Sequence, residues 1–261
     1  MSLTFARRES YLRLQAETIV YYYSGENFGS SGLACAAGTL TRNKDSRERH
    51  LQIQMEAVLS TSIDTKLFKW VRQPKDYEIG DDRISITTMP HTDLWQRTYY
   101  HFRNDNAPVL QIETEEQYFS FVVQTHFEDS HQRFDQCGVV MYLDSENWLK
   151  GSIEYENESF QHLGSVVTNH GYSDWATVEI PANVKSMWYR LSRREDDYCI
   201  ENSEDGVCWK QMRVCHLHEG KGKIKFGIYA CSPEDSSFTA VFTDMAVTEC
   251  AWLAHDGQQP D

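Results

Sequence analysis

The sequence predicts an all-β protein folded as a sandwich or barrel, and three observations support this fold class. From residue 67 onward, apolar residues recur with a period of two, as in residues 83–88 and 118–124, which is the pattern of half-buried strands. More than ten such short runs, rich in Val, Ile, Tyr, Phe and Thr, are separated by turn residues. Residues 65–250 contain neither a long helical period nor the fixed repeat of a propeller.

The N-terminal part of the chain differs in pattern, and we expect residues 1–61 to form an extension that is either helical or mobile. Residues 8–23 carry apolar side chains at helical spacing. The Gly/Ser-rich residues 24–32 predict a flexible connector. Residues 46–59 fit a helix with Ser46 as its N-cap and also alternate like a strand; the helix is our prediction.

The β-sandwich domain is predicted to span residues 62–254. Residues 144–147 have the composition of a tight hairpin turn between two strands, and Asp205-Gly206 favours a primed turn between two others. The other runs with clear strand alternation are residues 139–143, 148–155, 188–192, 224–230 and 238–242.

The composition excludes several classes of partner. The chain has 261 residues, 25 basic and 39 acidic, for a formal charge of -14. Such an acid excess opposes both sequence-independent nucleic-acid binding and electrostatic attachment to anionic membranes. No apolar run approaches the roughly 18 residues of a membrane span, and the first residues lack the apolar block of a signal peptide. We therefore expect no nucleic-acid or membrane partner, while the oligomeric state stays open.

The cysteines predict a reduced, cytoplasmic protein. All seven are widely scattered, and no CxxC pair occurs. Within residues 215–218, strand alternation would place Cys215 and Leu217 on one face and the two histidines on the other. No second cluster of ligands has suitable spacing. We expect a core thiol and two surface imidazoles there, with no metal site and no cofactor.

Four blocks of the sequence resemble, in order and spacing, a family of uncharacterised concanavalin A-like domains that includes a yeast protein named for regulation of enolase. The resemblance covers about residues 65–250 and implies a two-sheet jelly-roll sandwich, like those of legume lectins and laminarinase-type glucanases. Such a sandwich presents a concave sheet on which ligands lie. The resemblance implies no reaction. The blocks are TDLWQRTYYHFRNDN at residues 92–106, QCGVVMYLDSENWLK at 136–150, SVVTN with SDW within 165–175, and GIYACSP at 227–233.

The residues expected to bind a ligand follow from strand alternation. After the turn at residues 144–147, Trp148, Lys150, Ser152 and Glu154 share one face. Aromatic rings can cover the C–H face of a sugar, while Arg, Lys and Glu bind its hydroxyl groups. The predicted site consists of Trp95, Tyr99, His101, Arg103, Tyr142, Lys150, Glu154 and Arg190, with Asn169, Asp174 and Trp175 from an overhanging loop as second-tier positions. Because several of these are basic, a uronate is favoured slightly over a neutral sugar.

Three functions fit this pattern. The first is carbohydrate binding, with a small sugar or oligosaccharide on the concave sheet. The second is a sugar-active enzyme, either a lyase with His101 or Tyr99 as base or a hydrolase; residues 154–158 contain three glutamates but lack the order of acids found in laminarinase-type enzymes. The third is a non-catalytic interaction module that regulates metabolic enzymes. The sequence contains no phosphate-binding glycine loop, nucleophile elbow or dinucleotide motif.

Overall fold

Alternation of apolar and polar residues produces strands along almost the whole described chain. The structure is a computed structural model, and it describes residues 61–99 and 101–253. These residues contain one short 3-10 turn, Thr65–Leu67, and seventeen strands. The strands are β1 (Thr61–Ser62), β2 (Lys69–Arg72), β3 (Tyr77–Ile79), β4 (Arg83–Thr87), β5 (Leu94–Gln96), β6 (Arg103–Asp105), β7 (Val109–Thr114), β8 (Tyr118–His126), β9 (Gln136–Asp144), β10 (Asn147–Tyr155), β11 (Phe160–Asn169), β12 (Tyr172–Pro181), β13 (Ser186–Arg194), β14 (Asp197–Ser203), β15 (Lys210–His216), β16 (Ile224–Cys231) and β17 (Thr239–Thr248).

The strands form two large antiparallel sheets and one small hairpin. Sheet A has the order β15-β14-β13-β8-β17-β4-β3, with β1 paired to β17. Sheet B has the order β12-β11-β10-β9-β16-β7-β2. Strands β5 and β6 pair with each other as a separate hairpin. The predicted all-β class is confirmed, and the two-sheet arrangement decides for a sandwich over a barrel.

The main core lies between the sheets. Leu149 and Ile153 of β10 face Phe121 of β8 and Leu191 of β13 in one apolar cluster. The row from Trp148 to Glu154 shares one face of β10, as the sequence predicted, and the structure places that face on the outside of sheet B.

A second, smaller apolar cluster lies on the outer face of sheet B. Leu94 of β5 and Ala107 cover Val140, Tyr142 and Trp148. The hairpin also donates a hydrogen bond from the Gln96 main-chain N–H to the Ser173 hydroxyl, at 2.9 Å. Because the hairpin covers only part of this face, a boundary forms there between buried and exposed side chains. The sequence had given no indication of this cover.

The two predicted turns have different outcomes. The chain reverses between Asp144 and Asn147, which pair directly, so the tight hairpin is confirmed. The connection from β14 to β15 spans six residues rather than two. Asp205 stabilises this longer connection. One of its carboxylate oxygens accepts hydrogen bonds from the Val207 and Cys208 N–H groups and from the Ser203 hydroxyl.

Two further predictions concern the chain termini and the membrane. The helices predicted within residues 8–23 and 46–59 lie outside the described residues. In the described ranges, no helix is long and apolar enough to cross a bilayer.

Candidate functional site

A row of polar side chains lies along the outer face of β10, at the boundary left by the hairpin. The strand register places Glu154 between Gln136 of β9 and His162 of β11. Ser152 lies between Gly138 and Gly164, which have no side chains. Neighbouring long side chains can therefore lie over the centre of the row.

The charge of Lys150 in this row is balanced by neighbouring polar and acidic groups. It is only 2% exposed, and its Nζ donates to Gln136 Oε1 at 2.7 Å. The Asp93 carboxylate lies 3.6 Å away, and the Trp148 and Tyr229 rings lie 5.9 and 5.4 Å from the ammonium. The Tyr229 hydroxyl donates to the same Gln136 oxygen at 2.9 Å. Lys150 is thus compensated by the protein itself.

Glu154 is buried without such compensation. Its side chain is 4% exposed, and within the described part of the chain no basic group lies within the 4.0 Å of an ion pair. Burial raises the pKa of this carboxyl to about 7, while the charge of Lys150 and a hydrogen bond from Trp175 act in the opposite direction. An ideal Cβ on Gly164 would lie 3.2 Å from both Glu154 Oε1 and Trp175 Nε1. The carboxyl and the indole N–H therefore meet above this glycine.

An aromatic rim surrounds Glu154. Trp175 of β12 is 43% exposed, and its ring packs edge-on against Trp95 of the hairpin, with centroids 6.4 Å apart. On its other side lies His162, at 6.2 Å. His162 Nδ1 is buried without a hydrogen-bond partner among the described residues, as is the Ser152 hydroxyl. The exposed Trp175 ring thus adjoins the half-buried His162 imidazole, whose Nδ1 lies 4.0 Å from the Glu156 carboxylate.

The structure brings three of the eight predicted residues into this site: Trp95, Lys150 and Glu154. Tyr142 lies on the same face, but its ring is in the covered cluster and its hydroxyl donates to Asp105 at 2.8 Å. Arg72 lies over that ring, at 4.8 Å. Tyr142 therefore supports the hairpin.

The β5–β6 hairpin holds three more predicted residues, two of them in its turn and one on β6. Tyr99 and His101 lie between β5 and β6 with positive φ angles of 72° and 55°, and Tyr99 is 77% exposed. Arg103 is exposed and pairs with Gln96 in the β5–β6 ladder. No pattern in the sequence separates this turn from the row on β10, because which face of the protein the turn reaches depends on long-range contacts.

Arg190 lies on the other sheet. It belongs to β13 of sheet A, where its Nε and Nη2 donate to the two Glu201 carboxylate oxygens at 2.6 and 3.0 Å. Its guanidinium stacks on Trp209 at 4.3 Å. The expected convergence of Arg190 with Lys150 and Glu154 is therefore absent, because sheet membership depends on long-range pairing and not on local alternation.

Several residues of the site were not among the eight. Trp175 is a second-tier position predicted on an overhanging loop, and the structure instead places it on strand β12. The prediction does not include Gln136, Asp93 and His162. The signal for His162 was present, since alternation along β11 places it with Gly164. Asp93 reaches the site only through the hairpin, so no strand pattern indicates it.

The cysteine–histidine run behaves as alternation predicted. Leu217 is fully buried and Cys215 packs against the core, where burial raises the pKa of its thiol to about 12. His216 is exposed and contacts Asp197 at 2.8 Å. Asp196, Asp197 and His216 each point one possible ligand atom inward, but Lys221 also contacts Asp196, at 3.2 Å. We interpret this group as an ion-pair network.

The two antiparallel sheets form a β-sandwich with the concanavalin A-like fold. Within this class, the chain belongs to the DUF1349 family, described as a protein of unknown function, and residues 70–250 match the family model. The family resemblance in the sequence is thereby confirmed.

Among known proteins, a relative from Saccharomyces cerevisiae named "Regulation of enolase protein 1" is 28% identical over 180 residues, which cover 69% of this chain and 88% of the relative. A crystal structure of a functionally unknown protein from Saccharomyces cerevisiae superposes with a TM-score of 0.66 and 26% identity, over 72% of this chain and 98% of that one. The GH43 protein BlXynB from Bacillus licheniformis superposes with a TM-score of 0.55 and 17% identity, over 72% of this chain and 38% of that chain. This last likeness concerns the fold alone.

Proposed function

We propose that this protein binds a neutral sugar or short oligosaccharide on the outer face of sheet B, across Trp175 and Trp95. One observation carries the proposal: the buried Glu154 carboxyl, without a cation in ion-pair range in the described chain, meets the indole N–H at the edge of an exposed ring. A pyranose offers an apolar C–H face and a set of hydroxyls. The ring would cover the first, and the carboxyl and His162 would hydrogen-bond the second.

A neutral sugar is now favoured over the uronate that the sequence analysis preferred. Lys150 is already compensated by Gln136 and Asp93. Arg190 lies on sheet A, paired with Glu201. The nearest groups that face the rim are thus a carboxyl and an imidazole, which suit hydroxyl groups better than a carboxylate.

A sugar-active enzyme is the second proposal, and one property of Glu154 favours it. A carboxyl with a pKa of about 7 can donate a proton at neutral pH and take it back. Glycoside hydrolysis also needs a second carboxylate. Asp93, whose charge contributes to raising the pKa of Glu154, is one candidate.

A non-catalytic module that regulates metabolic enzymes is the third proposal. Its support is the name of the yeast relative, "Regulation of enolase protein 1". We also propose a cytoplasmic location for all three roles, with no nucleic-acid or membrane partner. The six cysteines in the described part of the chain are free thiols, as in a reducing compartment.

A thermal-shift panel of neutral oligosaccharides, uronates and sugar phosphates tests the binding proposal. A ligand at 100 times its Kd adds about 2.7 kcal/mol to the free energy of unfolding, which raises the Tm of a domain this size by roughly 5–10 °C. We expect neutral sugars to produce the shift, and Trp175→Ala and Gly164→Ala to abolish it. Trp209→Ala, which removes an indole from sheet A, is the matched control.

Two outcomes decide between the proposals. A flat response across the panel, unchanged in the Trp175 and Gly164 variants, would discard sugar binding and the sugar-active enzyme together. A shift accompanied by new products on chromatography, lost in Glu154→Gln, would favour the enzyme over the binding protein.

A further inference from the structure

A groove of about 1080 Å³ lies on the outer face of sheet A, opposite the proposed sugar site. Val122 of β8 and Ala246 of β17 are paired neighbours on its floor. Trp188 and Trp209 line one wall. Ligand sites for small molecules typically have volumes of about 300–1,000 Å³, so the volume of this groove lies at the upper end of that range. We call it the sheet A groove.

The aromatic wall of the groove is packed against protein and carries no unbalanced charge. An ideal Cβ on Gly206 would lie 3.1 Å from the Trp188 ring, so the loop after β14 rests directly on this indole. Trp209 is stacked on Arg190, whose charge is balanced by the bidentate Glu201. The wall thus offers apolar area without a free charge.

The rim of the groove is acidic. Asp82, Asp244 and Glu249 line it and are exposed, and the described chain gives none of them an ion pair. Of the basic side chains lining the groove, Arg83 lies 3.4 Å from Glu78 and Arg190 is paired with Glu201. The field at the mouth of the groove is therefore negative, in a protein whose overall formal charge is -14.

We propose that the sheet A groove docks an extended, basic segment of a partner protein. Apolar side chains of the segment pack on Val122, Ala246 and the tryptophan wall, and alternate Lys or Arg side chains face Asp82, Asp244 and Glu249. Alternation fits because successive side chains of an extended peptide point to opposite sides. This surface is separate from the sugar site, since the two lie on the outer faces of different sheets.

Fluorescence anisotropy with a labelled hexapeptide of alternating Lys and Leu tests the proposal. We expect saturable binding that weakens as salt rises from 50 to 300 mM, and no binding of the matched peptide of alternating Glu and Leu. The double variant Asp82→Asn/Asp244→Asn should bind about three- to tenfold more weakly, since each exposed ion pair contributes up to about 1 kcal/mol. Asn tolerates the positive φ of 53° at position 244, so the variant should stay folded.

Two controls locate the binding. Glu158→Gln/Glu179→Gln removes two exposed carboxylates outside the groove and should leave the affinity unchanged. Ala246→Leu fills the floor without changing charge and should weaken binding at least as much as the Asn double variant. The proposal is overturned if the Glu–Leu peptide binds equally well, or if the Glu158/Glu179 variant loses as much affinity as the Asp82/Asp244 variant.

Discussion

Replacing Glu154 with Gln tests whether burial holds this carboxyl in its neutral form. In the folded protein, burial raises its pKa from 4.5 to about 7. Between these values the folded state binds more protons than the unfolded chain, so its stability falls with rising pH. The stabilisation is fully present below about pH 4.5 and is lost as the pH passes about 7. A difference of about 2.5 pH units, at about 1.4 kcal/mol each, corresponds to about 3 kcal/mol.

Urea denaturation at pH 5, 6, 7 and 8 measures this effect. The wild-type protein should lose about 2–3 kcal/mol relative to Glu154→Gln between pH 5 and pH 8, because Gln is uncharged at every pH. Glu158→Gln removes an exposed carboxylate from the adjoining turn and should follow the wild-type profile. Parallel pH profiles for the wild type and Glu154→Gln would refute the reasoning, since the carboxyl would then ionise at no cost in the folded state.

Three other predictions concern the rest of the sandwich. Arg193 is 1% exposed and donates to four main-chain carbonyl oxygens. Arg193→Lys should therefore lower the free energy of unfolding, measured by urea titration, by about 3 kcal/mol. A loss below about 1 kcal/mol would contradict this role. Gly138→Ala would place a Cβ against the Gly151 carbonyl oxygen and should abolish cooperative melting by circular dichroism; an unchanged melting transition would contradict this close approach of the strands. Mass-spectrometric mapping of thiol labelling should find exposed Cys208 modified before buried Cys137, whose pKa is raised by desolvation; equal rates would show that the core opens.

The fold class could be predicted because it depends on local pattern. Residues of β8 and β10 alternate between the core and an outer face, and this period of two is visible in the sequence. The order of the strands could not be predicted, since β8 pairs with β13 and β17, which are distant along the chain. The β5–β6 hairpin was missed as a cover for the same reason: its contacts with Ser173 and Trp175 are long-range.

The candidate site was predictable only where one strand carries it. Lys150 and Glu154 share a face of β10, so alternation alone was enough to group them. Arg190 has the same local pattern, but its strand pairs within sheet A, and its charge is engaged by Glu201. Trp175 lies beside Glu154 because β12 pairs with β11, and Gly164 of β11 has no side chain to separate the two. More of the eight predicted residues are basic than acidic, whereas the structure engages Lys150 with Gln136 and Asp93, and Arg190 with Glu201.

The most direct test of sugar binding at sheet B is an NMR titration that follows the indole N–H signals of the seven tryptophans while a neutral oligosaccharide from the thermal-shift panel is added. Trp175 and Trp95 lie at the proposed site, whereas Trp188 and Trp209 line the sheet A groove. We predict saturable shifts of the Trp175 and Trp95 signals, with those of Trp188 and Trp209 unchanged. Unmoved Trp175 and Trp95 signals at millimolar sugar, or shifts confined to Trp188 and Trp209, would contradict a sugar site beside Glu154.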